Sequence, residues 1–60
     1  MSYAEAKEIA LARMDLRSSW NAGDHAAAGD ALARLTRVAG DDDELTAEIR
    51  RWRIKLDAGR

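Results

Sequence analysis

Apolar residues recur along this chain at intervals of three and four, the period of an α-helix, and no stretch alternates in the manner of a strand. The clearest stripe is Leu45, Ile49, Trp52 and Leu56, spaced 4, 3 and 4, which falls on one narrow line at about 100° per residue. A second stripe gathers Ala28, Ala31, Leu32, Leu35, Val38 and Ala39. The first segment is broader, with Ile9, Ala12, Leu16 and Trp20 on one flank and Tyr3, Ala10 and Met14 on another. A wide apolar arc of that kind predicts a helix covered from two sides.

Local signals bound each segment. Ser2 begins a Ser-x-x-Glu capping box completed by Glu5, and a first helix is expected over residues 3–21. Gly23 supplies the left-handed residue that ends it, and Asp24 caps a second helix over 25–39 that stops at Gly40. The run Asp41-Asp42-Asp43-Glu44 opens a third helix over 43–58, offering a cap and opposing the positive end of the helix dipole; Gly59 closes it. Linkers of two to four residues place consecutive helices side by side. The expected fold is all-α, a single three-helix bundle in which a helical hairpin is closed by a third helix.

The stretch Gly23-Asp24-His25-Ala26-Ala27-Ala28, followed by Asp30-Ala31-Leu32-Ala33-Arg34-Leu35, resembles a tetratricopeptide-type helical hairpin over residues 23–39. His25 stands where that pattern has an aromatic residue, Gly29 where it has a large apolar one, and Gly40 where it has proline. The resemblance implies a helical hairpin and binding to another protein.

Composition adds a constraint. Apolar residues make up 47% of the chain, but thirteen of them are alanine, so the core is thin. A 60-residue domain of this kind supplies no more than about 3–5 kcal/mol of net stability, and small proteins usually add disulfides, a metal or a partner. There is no cysteine, which removes disulfides and argues against structural zinc. Self-association or docking on a larger partner is the remaining device. The net charge of −1 lacks the strongly basic footprint of a typical nucleic-acid binder. No apolar run is long enough for a membrane span or a secretory signal, and a cytoplasmic location is expected.

Catalysis finds little to use. His25 is the lone histidine and has no nucleophile motif beside it, so a ring packed over the hairpin is expected. Four consecutive acids lack the alternating spacing and bend of a calcium loop. Glu5, Glu8, Asp15, Asp30 and Glu48 project toward solvent, with Lys7, Arg51 and Lys55 placed for surface ion pairs, and Glu44 and Glu48 within helical reach of Arg51. No enzyme, cofactor, metal or small-molecule substrate is therefore expected.

Two aliphatic residues fall outside the stripes. Ile54 projects away from the core line of the third helix, flanked by Ala47 and Ala58, and Leu11 projects away from both flanks of the first. Gly29, in mid-helix, costs about 1 kcal/mol relative to alanine, which a closely approaching helix would offset. Leu11, Gly29, Ala47, Ile54 and Ala58 are thus the candidate partner-binding residues. An alternative surface is the basic stretch Arg50, Arg51, Arg53 and Lys55, with Arg60, which suits phosphate contact. The expected function is a small non-catalytic interaction or assembly subunit, and the alternative is a nucleic-acid-binding regulator using the basic C-terminal helix.

Overall fold

The computed structural model describes residues 2–59; Met1 and Arg60, counted above with the apolar and the basic residues, lie outside them. Three helices follow in order: α1 (Tyr3–Asn21), α2 (His25–Ala39) and α3 (Asp43–Ala58). Each begins at the side-chain cap expected of it. Ser2 Oγ accepts from the Glu5 amide at 3.2 Å, Asp24 Oδ1 from Ala27 at 3.1 Å, and Asp42 Oδ1 from Leu45 at 3.0 Å. Such a cap contributes about 1 kcal/mol. Of the three aspartates available before α3, Asp42 holds the position.

The turns depend on two glycines with positive φ, Gly23 at +76° and Gly40 at +55°. Gly40 pairs that φ with a ψ of −124°, a combination strongly disfavoured once a Cβ is present. Gly59 caps α3 with ordinary right-handed dihedrals. A Cβ there would stand 3.2 Å from His25 Cε1, a tight approach, and 3.5 Å from Trp20 Cη2, an ordinary contact.

α2 is the shared element. It runs antiparallel to α1, as the pairing of Asp15 with Arg34 and of the Leu11 region with Val38 shows, and α3 packs along it as well. α1 and α3 run parallel to one another, since Arg13 meets Glu48 and, further along both helices, Trp20 meets Trp52. Among the described residues no α1 Cα lies within 8 Å of an α3 Cα. The core joins Ile9, Ala12 and Leu16 of α1, Ala28, Ala31, Leu32, Leu35 and Ala39 of α2, and Leu45, Ile49 and Leu56 of α3. Leu16 and Leu35 are wholly buried at its centre. Ala28 and Ala31, also at 0% exposure, present small side chains that let a neighbouring backbone come close to α2.

The Cα trace measures 34 × 19 × 13 Å. A thickness of 13 Å accommodates two helix layers at the usual spacing of roughly 8–10 Å and no third. One expectation fails for this reason. The second flank of α1 is not covered: Tyr3 is 84% exposed, Met14 66%, and Ala10 is exposed too. α3 spends its apolar stripe on α2 and does not reach across that side of α1.

Within this chain nothing beyond Gly29's chain neighbours and the backbone of its own helix lies within 4 Å of the place its Cβ would take. It is an exposed helical glycine with no close neighbour. Gly29→Ala is accordingly expected to stabilise the isolated chain by about 1 kcal/mol, a rise in Tm of about 4–8 °C in thermal denaturation. An unchanged or lower Tm would show that the site is not open in solution.

Candidate functional site

Among the described residues two ion pairs tie the helices together, and neither is among those expected from spacing within one helix. Arg13 Nε donates to Glu48 Oε2 at 2.8 Å, joining α1 to α3, and Arg34 Nη2 donates to Asp15 Oδ2 at 2.8 Å, joining α2 to α1. Glu48 turns toward α1 and away from Arg51 because a guanidinium is already positioned there by the packing of α1 and α3 on α2. Both pairs are partly exposed, so each contributes only about 0.2–1 kcal/mol. Their use is to fix the register of the helices.

An aromatic cluster closes the end of the bundle where the C-termini of α1 and α3 meet the N-terminus of α2. The His25 ring stacks on Trp20, centroids 5.3 Å apart and planes 18° from parallel. Trp20 meets Trp52 edge to face at 6.0 Å. Lys55 Nζ lies 4.9 Å from the Trp52 centroid and 5.8 Å from that of Trp20, within reach of a cation–π interaction. His25 thus packs over the hairpin as expected. Lys55 is held on tryptophan rings, which separates it from the other residues of the basic stretch.

The candidate partner-binding residues do not form one surface. Leu11, 50% exposed, lines a depression between α1 and α2 with Glu8, Arg34, Arg37 and Val38. Ile54, 65% exposed, shares the outward face of α3 with exposed Ala47 and Ala58. Gly29 stands apart from both on α2. Arg50, Arg51 and Arg53 are exposed, and among the described residues none has an ion-pair partner.

A larger feature was not singled out from the sequence. An open groove of about 770 Å³ runs between α1 and α3. Ala10, Arg13, Met14, Arg17, Ser18 and Asn21 form its α1 wall, and Glu48 and Trp52 its α3 wall. The α1 residues follow spacings of three and four, so they are one helical face. That face contains Ala10 and Met14 from the flank expected to be buried. The signal for the groove was present as the second apolar flank of α1, but periodicity marks a face without saying whether the chain covers it. Among the described residues Arg17 has no ion-pair partner, whereas Arg13 is neutralised by Glu48.

The helices also define what the surface is not suited to span: no helix among the described residues is long and apolar enough to cross a membrane. In comparisons with known proteins, no family model, no curated protein and no solved structure matches the chain.

Proposed function

We propose that this protein is a small non-catalytic interaction module, which docks a protein partner on helix faces its own fold leaves open. One observation carries the reading: among the described residues seven large aliphatic side chains are buried, while four large hydrophobic residues remain exposed, Tyr3, Leu11, Met14 and Ile54. Single exposed aliphatics are ordinary, but this proportion in so thin a core is the pattern of a surface that a partner covers. The uncovered flank of α1 supports the same reading. Such a flank would complete a helix layer if a further helix packed against it.

Photoreactive amino acids placed singly at Leu11, Met14 and Ile54 test this in extracts of the producing cell. An adduct to another polypeptide, or to a second copy, is expected from at least one position. A chain that forms no adduct at any of them, and sediments as a monomer at every concentration, overturns the reading.

A second reading rests on Arg50, Arg51 and Arg53, three exposed cations on α3 without carboxylate partners among the described residues. They could neutralise phosphates of a nucleic acid, with affinity falling steeply as salt rises. Lys55 is engaged by Trp52, and Trp52 is itself partly covered, so the aromatic and basic groups needed for base stacking are diverted to the fold. No binding to an oligonucleotide at low salt would end this reading.

A further inference from the structure

We infer that the outward ridge of α1 pairs with the same ridge of a second copy of this chain, antiparallel about a two-fold axis level with Ala12 and Arg13; this rests on the docking reading above and names its partner. Ala4, Lys7, Leu11, Met14, Ser18 and Asn21 are spaced 3, 4, 3, 4 and 3 along α1, and all are exposed. That is a seven-residue repeat, the spacing by which two helices stay in register side by side. Leu11 and Met14, 50% and 66% exposed, are its two large apolar members and follow one another in it. Antiparallel pairing centred between residues 12 and 13 sets Leu11 of each copy against Met14 of the other. Four large side chains then close into one apolar layer. Lys7 lies opposite the partner's Ser18, and Ala4 opposite the partner's Asn21.

Charge fixes the direction and the register. Parallel chains would set Lys7 against Lys7, whereas the antiparallel arrangement holds the two residues roughly 16 Å apart along the axis. The neighbouring register through Ala10 would set Lys7 against Arg17 and leave Leu11 uncovered. An isologous pair also brings the α2 sides of both copies together, and that flank carries both signs. Glu8, Arg34, Arg37 and Val38 line the depression beside Leu11. Asp15 lies next to it, bonded to Arg34, with its side chain still 56% exposed. Glu8 and Arg37 have no ion-pair partner among the described residues. Arg34 is level with Asp15, and Val38 with Leu11. The two-fold axis therefore places Arg34 within about two residues, or roughly 3 Å along the axis, of the partner's Glu8, and Arg37 equally near the partner's Asp15. Each guanidinium of this flank thus meets a carboxylate of the other copy, and the flank is neutral as a whole. The antiparallel α1 dipoles add to the same preference.

A single helix face buries less than the roughly 800 Å² per partner of a standard interface, so the dimer is expected to be weak. Sedimentation equilibrium of the full chain, from micromolar to millimolar concentration, reads it. Met14→Glu puts two carboxylates into the apolar layer and is expected to abolish the dimer. Arg37→Glu is expected to weaken it roughly tenfold at low salt. Ile54→Glu, on the outward face of α3, is expected to leave it unchanged. These sites are exposed, and far-UV circular dichroism of each variant checks the fold. Disulfide formation reads the direction, because the chain has no cysteine of its own. In an equimolar mixture of the Lys7→Cys and Ser18→Cys variants, the mixed disulfide is expected to exceed both symmetric ones.

A monomer at every concentration overturns the inference. So does a dimer indifferent to Met14→Glu, a dimer lost on Ile54→Glu, or a cysteine mixture that gives only symmetric disulfides. A monomeric chain whose photoreactive positions still form adducts with another polypeptide leaves the docking reading standing without this one. A monomer that forms no adduct removes both.

Discussion

Leu35→Ala is expected to leave this chain largely unfolded at 25 °C. Leu35 lies near the middle of α2, the one helix that packs on both others, and none of its surface is exposed. Replacing a buried leucine by alanine removes its transfer energy and leaves a cavity, a loss of about 2–5 kcal/mol. A domain of this size has no more than about 3–5 kcal/mol to lose. Far-UV circular dichroism should show most helical signal gone, and what remains should melt without a cooperative transition. Leu16→Ala, equally buried on α1, should behave in the same way. Met14→Ala removes a side chain of similar size from a site that is 66% exposed, and should stay within about 0.5 kcal/mol of the parent. A Leu35→Ala protein that keeps a urea midpoint close to the parent would mean that the centre of α2 is not the centre of the core.

Trp20→Ala should produce the second-largest loss, about 2–4 kcal/mol, somewhat reduced from a core tryptophan because Trp20 is only partly buried. The ring touches all three helices: His25 at the start of α2 stacks on it, Trp52 of α3 meets it edge to face, and Lys55 lies over it. Gly59 lies beside the same cluster, where an added methyl group would stand 3.2 Å from His25 Cε1. Without the indole, the end of α3 loses its contact with the hairpin. Amide hydrogen exchange should therefore accelerate more over residues 53–58 than over the opposite end of α3. Trp20→Phe should recover part of the stability, and His25→Ala should cost only about 1 kcal/mol, the stacking contribution alone. A loss below about 1 kcal/mol for Trp20→Ala, with unchanged exchange at the end of α3, would show that the cluster does not hold the helices together.

These two expectations also separate what supports the fold from what is left over. Leu35 and Trp20 are used up by internal packing, and their loss is felt as instability. Met14, Leu11 and Ile54 contribute little to folding, so changes there should be read out through a partner. The same division explains the charges. Asp24 and Asp42 are occupied by caps, Asp15 and Glu48 by ion pairs between helices, and Arg17 is left facing the groove.

Much of the fold could be read from residues close together in the chain. Helix boundaries follow from Ser2, Asp24 and Asp42 at the starts and from the positive φ of Gly23 and Gly40 at the turns. These are interactions over three or four residues, and no distant partner is needed to specify them. The stripes of α2 and α3 were legible too, since each has one apolar face and one core to meet. Ile54 and Leu11 were recognisable as exposed because they fall outside any stripe. The ion pairs were not legible: Arg13 and Glu48 are 35 residues apart, and Arg34 and Asp15 are 19 apart. Helical spacing pairs Glu48 with Arg51, and only the placement of α1 beside α3 brings Arg13 nearer.

α1 marks the division most clearly. The sequence by itself determined that this segment is helical, where it begins and ends, and that it has two apolar flanks. Only the tertiary structure decided that one flank is buried and the other forms the wall of an open groove. The physical reason is that periodicity is a property of one helix, whereas burial depends on the distance between helices. Here that distance is set by where small and large side chains meet along α2. Ala28 and Ala31 allow close packing on α2, α3 commits its leucine and isoleucine stripe to the same helix, and the Met14 flank of α1 is left without a neighbour.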